Sequence, residues 1–288
     1  MDRKLISFDW AMKRILREKA NFDILEGFLS ELLRFDIRIQ EILESEANQD
    51  DINDKFNRVD MVVKNDKDEI ILIELQHNSE IDYFHRMLYG TSKLICQYMG
   101  EGKGYKQVKK VYSINIVYFN LGQGDDYLYY GKLDFVGMNN QKYDLKLSTY
   151  QQNDFDKKDV FEIFPEYYII KVNRFNDIAK NTIDEWIYFL KNEEINENSQ
   201  AKGLKKAKEK LDVLKLPEDE KAKYRRRIEN KMLEISLLDT AKIEGEKQAK
   251  IEIAKNLLDV LDIKTIAKKT GLSISEIEEI SNMMNSAS

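Results

Sequence analysis

From Ile70 to Ile73 the chain sets four branched aliphatic residues in a row, then Glu74, Leu75 and Gln76. Strand side chains alternate between faces, so an unbroken apolar run predicts a strand buried on both sides inside a sheet, with Glu74 and Gln76 sharing one face. The run before it, Arg58 to Lys64, alternates: Val59, Met61 and Val63 point one way, Asp60, Val62 and Lys64 the other. Between them Asn65, Asp66, Lys67 and Asp68 have the composition that reverses a chain in a hairpin. Asp60 and Glu74, fourteen residues apart in sequence, are therefore expected side by side on neighbouring strands.

A carboxylate within such a run is costly to desolvate unless a cation or a hydrogen-bond donor meets it. Two on one face repel each other, and hard oxygen ligands of this kind suit Mg²⁺ or Mn²⁺. The plainer reading is a solvent-facing hairpin decorated with acids, with Arg58 or Lys64 as their partners.

Composition narrows the class. A chain of 288 residues that is 42% hydrophobic can build one good core, or a core with an appendage. With 34% charged residues and two prolines it reads as soluble and helix-rich. No apolar run is long enough to span a bilayer and the start lacks a secretory signal, so a cytoplasmic location is expected. Cys96 has no second cysteine to pair with, and His77 and His85 are the only histidines, which leaves no zinc-type cluster. Cys96 is expected as a small core residue, and His77 as a hydrogen-bonded residue at a strand end or a phosphate contact. The net charge of −6 argues against a surface coated in nucleic acid. Charge is unevenly spread, however: residues 41–82 hold thirteen acids and four bases, and residues 201–231 hold twelve bases and six acids. An acidic pocket beside a basic stretch that steers a polyanion fits this pattern, and so do ordinary solvated helices.

Taken in order, residues 5–19 place Phe8, Ala11, Met12, Ile15 and Leu16 on one helical side, with Asp9 either at the helix cap or in a site. A second helix, Asn21 to Leu33, buries Ile24, Leu25, Phe28, Leu29, Leu32 and Leu33, and leaves Glu26 and Glu31 as exposed acids or supporting site residues. Ile37 to Glu44 reads as the first strand and Ser45 to Asp54 as a polar link. After Gln76 a helix from about Ile81 to Met99 is expected to cover the sheet with Phe84, Met87, Leu88, Leu94, Ile95 and Tyr98. Arg86 and Lys93 lie on the same helix, able to reach the site or a phosphate or to face solvent. Gly100 to Gly104 ends it, and Lys106, Lys109 and Lys110 beside Tyr105 and Tyr112 form a basic-aromatic patch. Val111 to Phe119 is expected to return parallel in the same sheet after a right-handed crossover. Strands follow within Tyr127 to Thr149 and at Tyr167 to Val172, then a helix around Trp186.

From Asn192 the composition shifts: Asn192 to Gln200 reads as a polar linker, and thereafter Lys, Glu, Ala, Leu and Ile recur at helical spacing, which divides the chain into 1–191 and a helical region 192–288. Its long charged helices read as a coiled coil or an arm, without a strict heptad. The end, Ile263 to Ile280, is helix, turn, helix, with Gly271 at the turn and a Ser273/Glu276 capping box. Glu276, Glu278 and Glu279 on the second helix would repel phosphates, so packing or self-association is expected there rather than DNA reading.

Phe8 to Arg14 (FDWAMKR), Phe28 to Leu33 (FLSELL), Arg58 to Asp60 (RVD), Ile73 to Gln76 (IELQ) and Arg86 to Tyr89 (RMLY), in this order and spacing, resemble the PD-(D/E)XK nuclease superfamily. More closely they resemble the bacterial recombination-promoting nucleases and transposases, over about residues 5–190. The resemblance implies an α/β, restriction-endonuclease-like mixed sheet flanked by helices, with the C-terminal helices as an extension. It also implies a Mg²⁺-dependent or Mn²⁺-dependent DNA endonuclease of recombination or mobile elements, with the metal held by Asp60, Glu74 and the carbonyl of Leu75. Gln76 stands where the superfamily usually has lysine, and Val59 where it has proline. Glutamine is usual in the closer family; Arg86 or Lys93 would supply the missing positive charge and the contacts to DNA. The alternative is a silent DNA-binding or assembly protein on the same scaffold. Pairing of two chains, which would allow both strands to be cut, is left open.

Overall fold

A computed structural model describes residues 5–43, 58–99, 104–139 and 145–286. It divides into two compact units, Met1–Lys221 and Ala222–Ser288.

The first unit is built on a six-stranded mixed sheet in the order β1-β2-β3-β4-β6-β5. Its strands are β1 (Ile39–Leu43), β2 (Arg58–Asn65), β3 (Ile70–Gln76), β4 (Val111–Val117), β5 (Leu128–Gly131) and β6 (Glu166–Lys171). The first three pair antiparallel, β3, β4 and β6 run parallel, and β5 closes the edge antiparallel to β6. Every residue of β3 and β4 is buried, which fits the aliphatic runs that form them. Helices α1 (Phe8–Arg14), α2 (Phe22–Leu33), α3 (Tyr83–Met99), α4 (Thr149–Phe155), α5 (Thr182–Asn192) and α6 (Leu204–Lys210) complete the unit. Sheet, crossover helix and flanking helices together make the expected α/β architecture of the restriction-endonuclease type.

The hairpin turn fixes how β2 meets β3. Asn65 Oδ1 accepts the amides of Lys67 and Glu69 at 3.1 and 2.9 Å, and Asn65 Nδ2 donates to the Glu69 carboxylate at 2.8 Å. Asp68 takes the left-handed conformation that the reversal requires, at φ 62°. Seven residue pairs are thereby in register, from Arg58 opposite Gln76 to Lys64 opposite Ile70.

The face of α3 differs from the expectation. Tyr83, Met87, Thr91 and Leu94 are buried, whereas Phe84 and Leu88 are exposed. Apolar residues lie nearly all round the first half of this helix, so periodicity alone does not fix the rotation. Cys96 is exposed rather than in the core. Strand structure within Tyr127 to Thr149 is confined, among the described residues, to β5 and an isolated bridge residue. The link from Ser45 to Asp54 lies outside the described residues, as do Gly100 to Lys103.

On α2 all six expected residues are buried. Phe28, Phe8, Trp186 and Phe189 form an edge-to-face aromatic cluster with centroids 5.5 to 6.3 Å apart. Glu26 and Glu31 tie elements together: Glu26 accepts from the Ile39 amide at 2.7 Å, and Glu31 accepts from the Lys202 amide at 3.0 Å and from Thr182. Although composition changes at Asn192, the compact unit runs on to Lys221, with Ala201, Leu204, Ala207 and Leu211 buried. Here backbone meets backbone. A Cβ on Gly27 would lie 2.4 Å from the carbonyl oxygen of Lys202, and Gly203 (φ 82°) approaches the same turn of α2.

In the second unit α7 (Glu218–Leu257), which begins in the first, is followed by α8 (Ile263–Thr270) and α9 (Ile274–Ser286). Ala254, Ile266, Leu272, Ile277 and Ile280 form its core. Asp262 caps α8, and Gly271 ends it at φ 74°. The Ser273/Glu276 box is formed, with the Ser273 amide donating to Glu276 at 2.9 Å. Among the described residues no helix is long and apolar enough to cross a membrane.

Gly27→Ala is expected to lower unfolding free energy by about 1–3 kcal/mol, because backbone rather than a flexible side chain must move, as a urea midpoint shift would show. The hydrogen bonds from Ser273, with Lys247 nearby, hold the Glu276 carboxyl down to about 2. A depressed carboxylate stabilises fully above its unfolded value of 4.5, and that stabilisation is lost as pH falls toward about 2. Glu276→Gln should therefore flatten the acid limb of a helicity titration followed by circular dichroism over that window.

Candidate active site

Asp60 is directly opposite Glu74 in the β2–β3 ladder. Residues directly opposed in an antiparallel pair present their Cβ atoms to the same face, about 4.5–5.5 Å apart. Glu74 is 4% exposed and Gln76 5% exposed, so this end of β3 is not a solvated acidic hairpin. Both lie toward the carboxyl end of β3, where open sheets with parallel strands commonly bind ligands.

Helix α3 supplies the roof. A Cβ built on Gly90 would lie 3.5 Å from Leu72 and 3.9 Å from Glu74 Oε1, which places this turn of the helix over the carboxylate. One turn earlier, Arg86 Nε is 3.9 Å from Glu74 Oε1, and Arg86 Nη1 donates to both oxygens of Glu80 at 2.8 and 2.9 Å. Gln76 Nε2 donates to Glu80 Oε1 at 2.9 Å and to the Asn78 carbonyl at 3.2 Å. Lys93 is half-buried seven residues, about two turns, beyond Arg86 on α3. The sequence-derived candidates Glu74, Gln76 and Arg86 are thus gathered within contact of one another or of Glu80. Leu75, between Glu74 and Gln76, is buried on the opposite face of β3.

The wall on the β4 side is Asn115, paired with Glu74 in the parallel register and fully buried. Its Oδ1 accepts from the Tyr83 hydroxyl at 3.3 Å, while its Nδ2 donates to Ser113 and to the Tyr168 carbonyl. Asp9 does not cap α1. It is 3% exposed and lies 3.7 Å from His77 Nε2. His77 stacks on Tyr118 with centroids 4.4 Å apart, and its buried Nε2 has no hydrogen-bond partner among the described residues. Burial pushes the Tyr118 phenol well above its ordinary value, with Asp9 acting in the same direction, so its proton stays to donate to the Leu190 carbonyl at 2.8 Å.

Two of these residues escaped the sequence reading. Asn115 had a signal, a polar residue inside the apolar run from Val111 to Val117. Glu80 had none, since its role depends on how residues 77–82 fold back over Gln76.

The donor set suits a hard cation. Gln76 Oε1 is buried without a hydrogen-bond partner among the described residues, close to the buried Glu74 carboxylate, and both offer the oxygen donors that hard cations prefer. Among the described residues no three His, Cys, Asp or Glu side chains converge.

At the other end of β3 and β4 lies a cavity of about 950 Å³ lined by residues that include Phe35, Lys67, Tyr105, Lys110 and Tyr112. The basic patch expected at Lys106, Lys109 and Lys110 is neutralised there by Asp154, Asp68 and Glu166. Burial pulls the Lys110 ammonium below its ordinary pKa against the opposing charge of Glu166.

A protein-family comparison matches residues 6–241 to the PD-(D/E)XK nuclease family transposases. No curated protein and no solved structure matches the chain significantly.

A glycine at position 90 is unfavourable in a helix, and the space an alanine methyl needs is open. Gly90→Ala should raise unfolding free energy by about 0.5–1 kcal/mol in urea denaturation, leaving the Leu72 and Glu74 contacts at ordinary van der Waals distance.

Proposed function

The chain belongs to the PD-(D/E)XK nuclease family transposases, and from that membership and the geometry at the end of β3 we infer that it is a cytoplasmic, Mg²⁺-dependent or Mn²⁺-dependent DNA endonuclease serving recombination or a mobile element. The observation that carries this reading is the register that sets Asp60 opposite a buried Glu74.

Asp60, Glu74 and the Leu75 carbonyl would hold the cation. When bound, such a cation offsets charge on the phosphate and eases deprotonation of an attacking water. The Gln76 amide orients that water through its buried oxygen and carries no charge of its own. Arg86, already 3.9 Å from Glu74, contributes the positive charge that lysine would otherwise bring to the transition state. Lys93, farther along α3, contacts the flanking DNA backbone. Cutting both strands would call for a second copy of the chain, whereas a single copy would nick.

A second reading, a silent DNA-binding or assembly protein, draws on the uncharged Gln76 and on the engagement of Arg86 by Glu80. Supercoiled plasmid separates the two. The nuclease nicks it with Mg²⁺ or Mn²⁺, stops on chelation, and loses about a hundredfold or more of its rate with Asp60→Asn or Glu74→Gln. Plasmid that is bound but left intact in either metal would establish the silent protein instead.

A further inference from the structure

Glu80 has no part in the chemistry above, yet it holds two of the groups that chemistry needs. Its carboxylate takes both contacts from Arg86 Nη1 and one from Gln76 Nε2. A guanidinium and an amide N–H converging on one oxyanion is also how proteins grip a phosphodiester. The location is equally specific, because Arg86 Nε lies 3.9 Å from Glu74 and Gln76 is the next residue but one along β3.

Glu80 is not part of the core. It lies in the connection between β3 and α3, its side chain is 30% exposed, and the adjoining Ile81 is fully exposed. An acid here adds negative charge beside Glu74, and the Arg86 contact offsets it. A polyanion that supplies its own oxygens to Arg86 and Gln76 must displace this carboxylate.

We propose that Gln76 and Arg86 form a phosphate seat and that Glu80 is its internal occupant, competing with the backbone phosphate of a nucleic acid for the same donors. Residues 77–82 thus set the affinity of the site for DNA. The proposal rests on reading this end of the sheet as a DNA-cleaving site, but the exchange is a binding equilibrium and needs no cleavage to be observed.

The test is fluorescence anisotropy of a labelled DNA duplex in EDTA, where cleavage cannot intrude. Glu80→Gln keeps the side chain's size and removes its charge. It should tighten binding about threefold or more, with a steeper salt dependence as Arg86 becomes available to phosphate. Glu80→Ala should move affinity the same way. The gain should vanish when Arg86→Gln is added, and Asp82→Asn, which removes a nearby acid from the same connection, should give a smaller change. The proposal is overturned if Glu80→Gln binds no tighter, if its gain survives Arg86→Gln, if Asp82→Asn matches it, or if neither wild type nor variant binds the duplex. A protein that never nicks plasmid but shows the Arg86-dependent gain refutes the nuclease and keeps the seat; nicking without the gain does the reverse.

Discussion

Burial of the Glu74 carboxylate is the constraint on which the rest of the site depends. It closes a strand that is dry along its whole length, so its charge must be met by groups brought from elsewhere in the chain. Helix α3 answers with Arg86, whose Nε lies 3.9 Å from Glu74 Oε1. An apolar residue at position 74 would remove the need for that cation. The acid is costly to the fold, and its surroundings are organised to carry it.

The two ends of the same strands treat charge differently. Around the start of β3 and β4, Lys109, Lys110 and Lys157 meet Asp68, Glu166 and Glu69. Those pairs satisfy one another and close the sheet. At the carboxyl end an arginine and a glutamine converge on a single carboxylate from a connection, an arrangement that an external anion can enter. Cations that are already neutralised make a wall, and shared donors make a seat.

Much of this was legible in the residues. The aliphatic run from Ile70 and the turn composition after Lys64 were enough to place the hairpin, because strand periodicity and turn chemistry are local properties. The inward face of α2 was equally plain, since its six buried residues follow one stripe. On α3 the same method misplaced Phe84 and Leu88, because apolar side chains surround the first half of that helix and periodicity alone does not fix its rotation. Glu26 and Glu31 read as exposed or site-supporting acids, but their partners are amides on β1 and at Lys202, distant in sequence. The segment after Asn192 has the composition of a free helix; two glycines that let backbones touch draw its first part onto α2. Contacts made across such separations leave little local trace.

The Asn65 turn has one more consequence. A sheet has a repeat of two, so a hairpin that closes one residue early or late would invert the facing of every side chain on β2 and leave Asp60 behind the sheet. The amide side chain at Asn65, bonded to Lys67 and Glu69, guards against that slip from the far end of the ladder. It works as the indexing tooth of a ratchet: from the opposite end of the ladder, it determines which residue of β2 stands across from Glu74.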